Sequence, residues 1–304
     1  MSFQRIAIIG LGLLGGSIGL AVRQHIPGAA TTGYDLDPAT RRRAGERALT
    51  DTICETAADA VRAADLVIFC VPPGAMGEAA REIAEALPKA ALVSDVGSCK
   101  QSIAEALGAA LPGHAIIPAH PVAGTENSGP DAGFAALFHN RWCILTPPVN
   151  ADPTLLAQLT QFWQALGANV EVMDAGHHDL VLAVTSHLPH LIAYTIVGTA
   201  SDLEDVTQSE VIKYSAGGFR DFTRIASSDP TMWRDVFLSN KEAVLEMLQR
   251  FTEDLTALQR AIRVGDGDAL FGHFARTRAI RRSIIAEGQD DARPDFGRSD
   301  HGDG

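Results

Sequence analysis

Two rhythms divide the chain. From Ile6 to about Pro147, apolar runs of four to six residues alternate with alanine-rich segments whose apolar positions recur at helical spacing. The runs at 6–9, 31–34, 66–71, 91–95, 115–119 and 142–145 predict strands, and segments such as 75–87 and 100–111 predict helices between them. Strands apolar on both faces and separated by helices predict a mostly parallel, doubly wound sheet with right-handed crossovers. After Pro147 and Pro148 the strand rhythm stops. The remainder reads as helices at 153–166, 175–200, 207–215, 231–264 and 268–287, with apolar faces suited to an all-α domain that buries surface against a second copy of the chain. The expected division is 1–148, 149–287 and a Gly-, Asp- and Arg-rich tail at 288–304 with too little apolar surface to order itself.

Composition changes this picture only by exclusion. A chain of 304 residues, 46% hydrophobic and 20% charged, is an ordinary globular protein with room for two domains. Its formal charge of -12 argues against a nucleic-acid partner. Cys54, Cys70, Cys99 and Cys143 are scattered without metal-ligand spacing, which suits reduced thiols in the cytoplasm. The apolar run at 180–200 contains His187, Pro189 and His190, so it reads as a helix at a domain or subunit core and not as a membrane span. The run at 6–22 follows Arg5 but lacks a convincing cleavage site, which argues against a secretory signal.

The first strand enters GLGLLGGS, a G-x-G-x-x-G pattern at Gly10, Gly12 and Gly15. In that context Gly10 makes the turn, Gly12 admits a pyrophosphate close to the backbone, and Gly15 lets the helix approach the strand. The first helical turn, with Leu13 and Leu14, would face the phosphates. Asp35, twenty residues after Gly15 at the end of the next strand, is placed to hold the adenosine ribose. These features predict a Rossmann-type nucleotide domain. Val71 and Pro72, in FCVPP at the carboxyl edge of a later strand, fall in the same crevice. Asp35 would repel a 2′-phosphate and Leu36 offers it no cation, so the cofactor expected is NAD and not NADP. Arg41, Arg42 and Arg43 are expected on the solvated face of a helix starting near Pro38.

Three polar clusters suit chemistry beside a nicotinamide. DVGSCK places Ser98 after a strand, as a partner for a substrate hydroxyl or as a helix cap. HPVAGTENSG places His120 in a loop at the sheet's carboxyl edge, where an imidazole can accept a hydroxyl proton. Thr125 and Glu126 follow, and Glu126 can orient that imidazole or meet a cationic substrate group. SHLPH and GGFRDFTR, with Trp233 beyond them, bring Ser186, His187, His190 and Arg224, the last suited to clamping a carboxylate. His187 and His190 lack a third ligand nearby, so no metal is expected.

In combination, GLGLLGGS, GYD, DVGSCK, HPVAGTENSG, TSHLPH and GGFRDFTRIASSDPTMWRDVFLSNKE resemble the prephenate/arogenate (cyclohexadienyl) dehydrogenases of tyrosine biosynthesis. The resemblance implies a Rossmann domain followed by a helical dimerisation domain, with the active site between them, and a homodimer acting on a small-molecule substrate. It implies an oxidative decarboxylation in which hydride leaves ring C4 for NAD and carbon dioxide is lost. Carried over by motif, His120 is the base and Ser98 binds the same hydroxyl. Arg224 holds the substrate carboxylate, His187, His190 and Trp233 form the pocket, and Ser186 adds a hydrogen bond. Glu126 tilts the expectation toward arogenate or dual use. Cys99 departs from the pattern, where an aliphatic residue is usual, and is expected to pack. No mutase segment is expected before the nucleotide domain and no regulatory domain after residue 287, so feedback by tyrosine would act at the active site itself. The alternatives are a β-hydroxyacid-type dehydrogenase, whose helix lysine is not found here, and a nucleotide sensor without turnover.

Overall fold

The computed structural model describes residues 3–125, 127–202 and 217–286. It forms two compact units, 1–247 and 248–304. The first opens with β1 (Arg5–Ile9), α1 (Leu13–His25), β2 (Ala30–Tyr34), α2 (Pro38–Glu46), β3 (Thr52–Ile53), α3 (Ala57–Val61), β4 (Leu66–Phe69), α4 (Met76–Ile83), β5 (Leu92–Asp95), α5 (Gln101–Ala110) and β6 (Ala115–Ile116). All six strands are parallel, in the order β3-β2-β1-β4-β5-β6. This is the doubly wound order of a Rossmann fold, with its reversal between β1 and β4. The strands are apolar throughout because each face has its own core. Ile6, Ile8, Leu66, Ile68 and Leu92 point into one cluster, and Ala7, Ile9, Val67, Phe69 and Val93 into the other.

The stretch at 115–119, expected as one strand, breaks after β6 and resumes as β7 (Ala119–Pro121) in a different sheet. Pro118, which has no amide hydrogen for a ladder, stands at the break. β7 pairs antiparallel with β8 (Trp142–Leu145), which pairs parallel with β9 (Asn169–Val172). β9 also corrects the expectation of helix alone beyond Pro148. Only four residues long and largely exposed, it carries too little alternation to register as a strand. It follows α6 (Pro153–Ala165), whose buried Trp163 packs edge-on against Phe138. β4 ends at Phe69, two residues short of its expected end.

The helical part is more broken than its periodicity suggests. The stretch at 175–200 divides into α7 (Ala175–Leu182), a π-helical turn (Ala183–His187) and α8 (Leu188–Asp202). After α9 (Gly217–Thr223) and a 3₁₀ turn (Arg224–Ser227), the single helix expected over 231–264 is interrupted at Asn240. It becomes α10 (Pro230–Ser239) and α11 (Lys241–Val264). The second unit takes the end of α11, followed by α12 (Gly267–Ala286). The helix expected at 207–215 and the tail from 288 lie outside the described residues.

Candidate active site

The nucleotide edge begins at the turn between β1 and α1. Gly10 has φ +102°, and a Cβ there would lie 2.7 Å from the Cys70 carbonyl at the end of β4. A Cβ on Gly15 would collide with the Gly10 carbonyl, so α1 can approach β1 only because position 15 is glycine. A Cβ on Gly12, by contrast, would meet nothing within 4 Å, and no side chain caps the first turn of α1 at Leu13 and Leu14. Asp35 follows β2, and its carboxylate accepts the Leu11 amide at 2.8 Å and the Asp37 amide at 3.0 Å. An open glycine before an uncapped helix, with an acid fixed beside it, fits a dinucleotide's pyrophosphate and ribose. Val71 and Pro72 lie at the carboxyl end of β4 on this edge.

Helix α2 starts as expected, with Asp37 capping it and Pro38 in its first turn. Its arginines are not a plain solvated face, however. Arg41 turns inward, donates to the Asp35 and Leu36 carbonyls at 2.8 and 3.2 Å, and lies over the Tyr34 ring. Arg43 pairs with Asp131 and Glu46, and Arg42 is exposed.

His120 lies in β7 itself, opposite Ile144 of β8, and not in a loop; it is only 7% exposed. Its Nδ1 is 2.8 Å from Nε2 of His178, and His178 Nδ1 is 2.9 Å from Oδ1 of Asp179. Both partners come from α7, and both are buried. Asp179 also accepts the backbone amides of Lys100 and Gln101 at 2.7 and 3.0 Å. It thus caps α5 from a distant part of the chain. Ser98 does not fill that role: it lies upstream of the Lys100 cap position, half-buried. A buried ion pair, Lys100 with Asp95, grips the residue before His120. Lys100 Nζ donates to the Ala119 carbonyl at 2.6 Å while Asp95 accepts the Ala119 amide at 3.2 Å. Burial, the neighbouring histidines and Lys100 hold the His120 pKa well below 6.5.

The second half of the site surrounds Trp233 of α10. His190 stacks on its indole with centroids 3.6 Å apart, and His187 meets it edge-on at 6.1 Å. His190 Nδ1 donates to the Ser186 carbonyl at 2.8 Å, leaving a lone pair on Nε2. Burial, with some repulsion from Arg224, lowers the His190 pKa. Asn240, at the break between α10 and α11, donates to the Asp179 carbonyl at 2.8 Å and approaches His187 Nδ1 at 3.1 Å. The Asn240 Nδ2 amino group can only donate, so His187 accepts at Nδ1 and carries its hydrogen on Nε2. That Nε2 is buried without a hydrogen-bond partner, although the Ser98 backbone lies near the ring. Burial pushes the His187 pKa down to about 4. Cys99 packs as expected, against Trp233 and Val236. α10 also presses Asp235 onto the turn after Pro72, where a Cβ on Gly74 would lie 2.7 Å from its carboxylate. The indole's helix is thereby tied to the nucleotide edge.

Ser98, His120, His187, His190, Trp233 and Arg224 thus gather in one neighbourhood. Thr125 accepts the Asn127 amide in its own loop, and Glu126 lies outside the described residues. Of the partners that hold His120 in place, Asp95 and Lys100 bound the DVGSCK motif without being given a role by the sequence, and His178 and Asp179 lie outside every motif it singles out. The local trace of the latter two is a His–His–Asp run at 177–179, which has no motif spacing.

Residues 18–172 match the family model for the prephenate dehydrogenase nucleotide-binding domain, and residues 174–276 match that for the prephenate dehydrogenase dimerization domain. A cyclohexadienyl dehydrogenase of Zymomonas mobilis is 44% identical over 93% of this chain and 96% of its own length. A crystal structure of prephenate dehydrogenase from Aquifex aeolicus, in complex with hydroxyphenyl propionate and NAD+, is similar with a TM-score of 0.87 at 32% identity, over 93% of this chain and 99% of that one. The Synechocystis arogenate dehydrogenase structure has a TM-score of 0.77 at 27% identity, over 92% and 99% of the two chains. On these matches, which run through both halves of the chain, the protein belongs to the prephenate dehydrogenase family.

Proposed function

We propose that the chain catalyses the NAD-dependent oxidative decarboxylation of prephenate and L-arogenate. The observation that carries this reading is the placement of His120, in its neutral form, beside a buried His–Trp–His pocket tied to the nucleotide edge. Gly10, Gly12, Leu13, Leu14 and Gly15 would cradle the pyrophosphate, Asp35 the ribose, and Val71 and Pro72 the crevice wall. Bound NAD supplies the acceptor for the hydride that leaves ring C4. His120 takes the C4 hydroxyl proton at Nε2, and Ser98 hydrogen-bonds the same oxygen. Arg224 holds a substrate carboxylate, and His187 and Ser186 add hydrogen bonds. His190 and Trp233 form an aromatic wall, and recognition of the substrate's side chain is assigned to Thr125 and Glu126. Loss of the ring carboxylate as carbon dioxide then makes the ring aromatic. A clamp that reads the ring and its carboxylate serves both substrates, which accords with the name of the Zymomonas mobilis relative. The same reading places residues 1–148 in cofactor binding and 149–287 in substrate binding and dimerisation, in a cytoplasmic homodimer.

The test is initial-rate NADH formation with prephenate and L-arogenate side by side, repeated with NADP. Turnover of both with NAD, and at least about tenfold slower turnover with NADP, is expected because Asp35 repels a 2′-phosphate. Absence of turnover with either substrate would overturn the assignment. Turnover of one alone would restrict it to that substrate.

A further inference from the structure

His120 is an awkward resting place for a proton. It is buried, it has no carboxylate contact, and Lys100 faces it from the start of α5. His178 is different, because Asp179 touches its other nitrogen at 2.9 Å. The hydrogen positions follow from the chain of contacts. Asp179 accepts from two backbone amides and so serves as the acceptor for His178 Nδ1–H. His178 Nε2 therefore carries a lone pair, and the hydrogen between the two rings sits on His120 Nδ1. His120 Nε2 is left as the lone pair available to substrate.

We infer that His178 is a relay partner of His120: the proton taken from the substrate hydroxyl at His120 Nε2 is matched by transfer of the His120 Nδ1 proton to His178 Nε2. The substrate O–H bond breaks as His120 Nε2–H forms, and His120 Nδ1–H breaks as His178 Nε2–H forms. His120 ends neutral, in its other tautomer. The positive charge rests on His178 against Asp179, which keeps its own charge. Product release allows the two transfers to reverse and return the proton to water. The groups facing the pair support this direction. Burial and Lys100 disfavour charge on both rings, but His187 adds to this at His120 whereas Asp179 favours charge at His178, and Cys143 of β8 is kept neutral by burial. Asp95 is engaged by Lys100, and among the described residues Asp179 is the acid in hydrogen-bond contact with either ring. His178 and Asp179 are thus positioning residues that act through His120, and their role rests on His120 being the base.

Two measurements decide it. In wild-type enzyme, the single-turnover rate of NADH formation is followed against the deuterium fraction of the solvent. Two protons in flight give a bowed dependence, and one gives a straight line. In His178→Gln, whose amide can still bridge His120 and Asp179 but cannot accept a proton, kcat is expected to fall about 100-fold. The acid limb of its pH profile should move about one unit lower, because His120 then titrates alone. NAD affinity and the melting temperature report whether the variant is folded. A straight line, or a folded variant with an unmoved acid limb, overturns the relay; if the variant does not fold, the wild-type dependence decides alone. Failure of the wild-type enzyme to turn over either substrate would instead overturn the functional reading itself.

Discussion

His187 has a buried imidazole, hydrogen-bonded at Nδ1 and bare at Nε2, and burial sets its pKa at about 4 against 6.5 in an unfolded chain. Between those two values the unfolded chain binds the proton and the folded chain does not. Stability is therefore full above pH 6.5 and is lost as pH falls toward 4, by at most about 1.4 kcal/mol per pH unit for one such group. His120 and His178 are lowered in the same direction and steepen the loss. Urea unfolding at pH 7 and pH 5 should show this, and His187→Gln should remove its share of the slope; equal slopes in the two proteins would sink the claim. His120 stands in a segment rich in turn-formers, HPVAGTENSG, whereas His187 and Trp233 were singled out in the sequence by the motifs SHLPH and GGFRDFTRIASSDPTMWRDVFLSNKE. His178 and Asp179 were not. A His–His–Asp run in a short helix has no special meaning until β7 and α5 are packed against it.

Elements that depend on neighbours in sequence were the most legible. The β1–α1 turn can be read from its glycines, because two of them answer steric demands, Gly10 its positive φ and Gly15 its contact with the Gly10 carbonyl, while Gly12 is left open. Element ends set by distant contacts were not legible. The split at Pro118 redirects the chain into a second sheet, in which the strand at 142–145 is legible, whereas β7 merges with the run before Pro118 and the four residues of β9 are too few and too exposed to announce themselves. Asn240 is the sharpest case. Asparagine is only mildly unfavourable within a helix, and the apolar periodicity continues past it, so one helix is the natural reading of 231–264. What halts α10 there is tertiary: the side chain donates into α7 and to His187. Asn240→Ala should therefore cost about 1–3 kcal/mol by stripping a buried acceptor, although alanine is the better helix former. It should also raise KM for the cyclohexadienyl substrate, because the His187 tautomer is no longer fixed. Denaturation midpoints and initial rates measure both effects. A variant as stable as wild type would mean that the break is intrinsic to the local sequence.

At the scale of the molecule, α7 and α8 are divided in their allegiance. One side carries His178, Asp179, Leu182, His187 and Ala193 into the interior. The other leaves Leu180, Val184, Ile196 and Val197 between 38% and 47% exposed. Charged side chains are scarce along this stretch, which is long and apolar enough to meet a length-and-composition criterion for crossing a bilayer, yet only 28% of that window is buried within one chain. Its polar side carries the buried His178, Asp179 and His187, so lipid on all sides would strand those groups. A second copy of the chain would cover one side only, and these helices fall in the segment matching the dimerization-domain model. Contiguous apolar surface of this kind marks an association face. Sedimentation equilibrium should therefore give twice the 32.2 kDa of one chain. Val197→Asp, at a half-exposed position about two helical turns beyond the stacked His190, should shift the mass toward a single chain while the circular dichroism spectrum stays helical. A variant that keeps the doubled mass at micromolar concentration would move the interface away from α8. A wild-type protein with the mass of one chain would leave this apolar face without the partner argued for it.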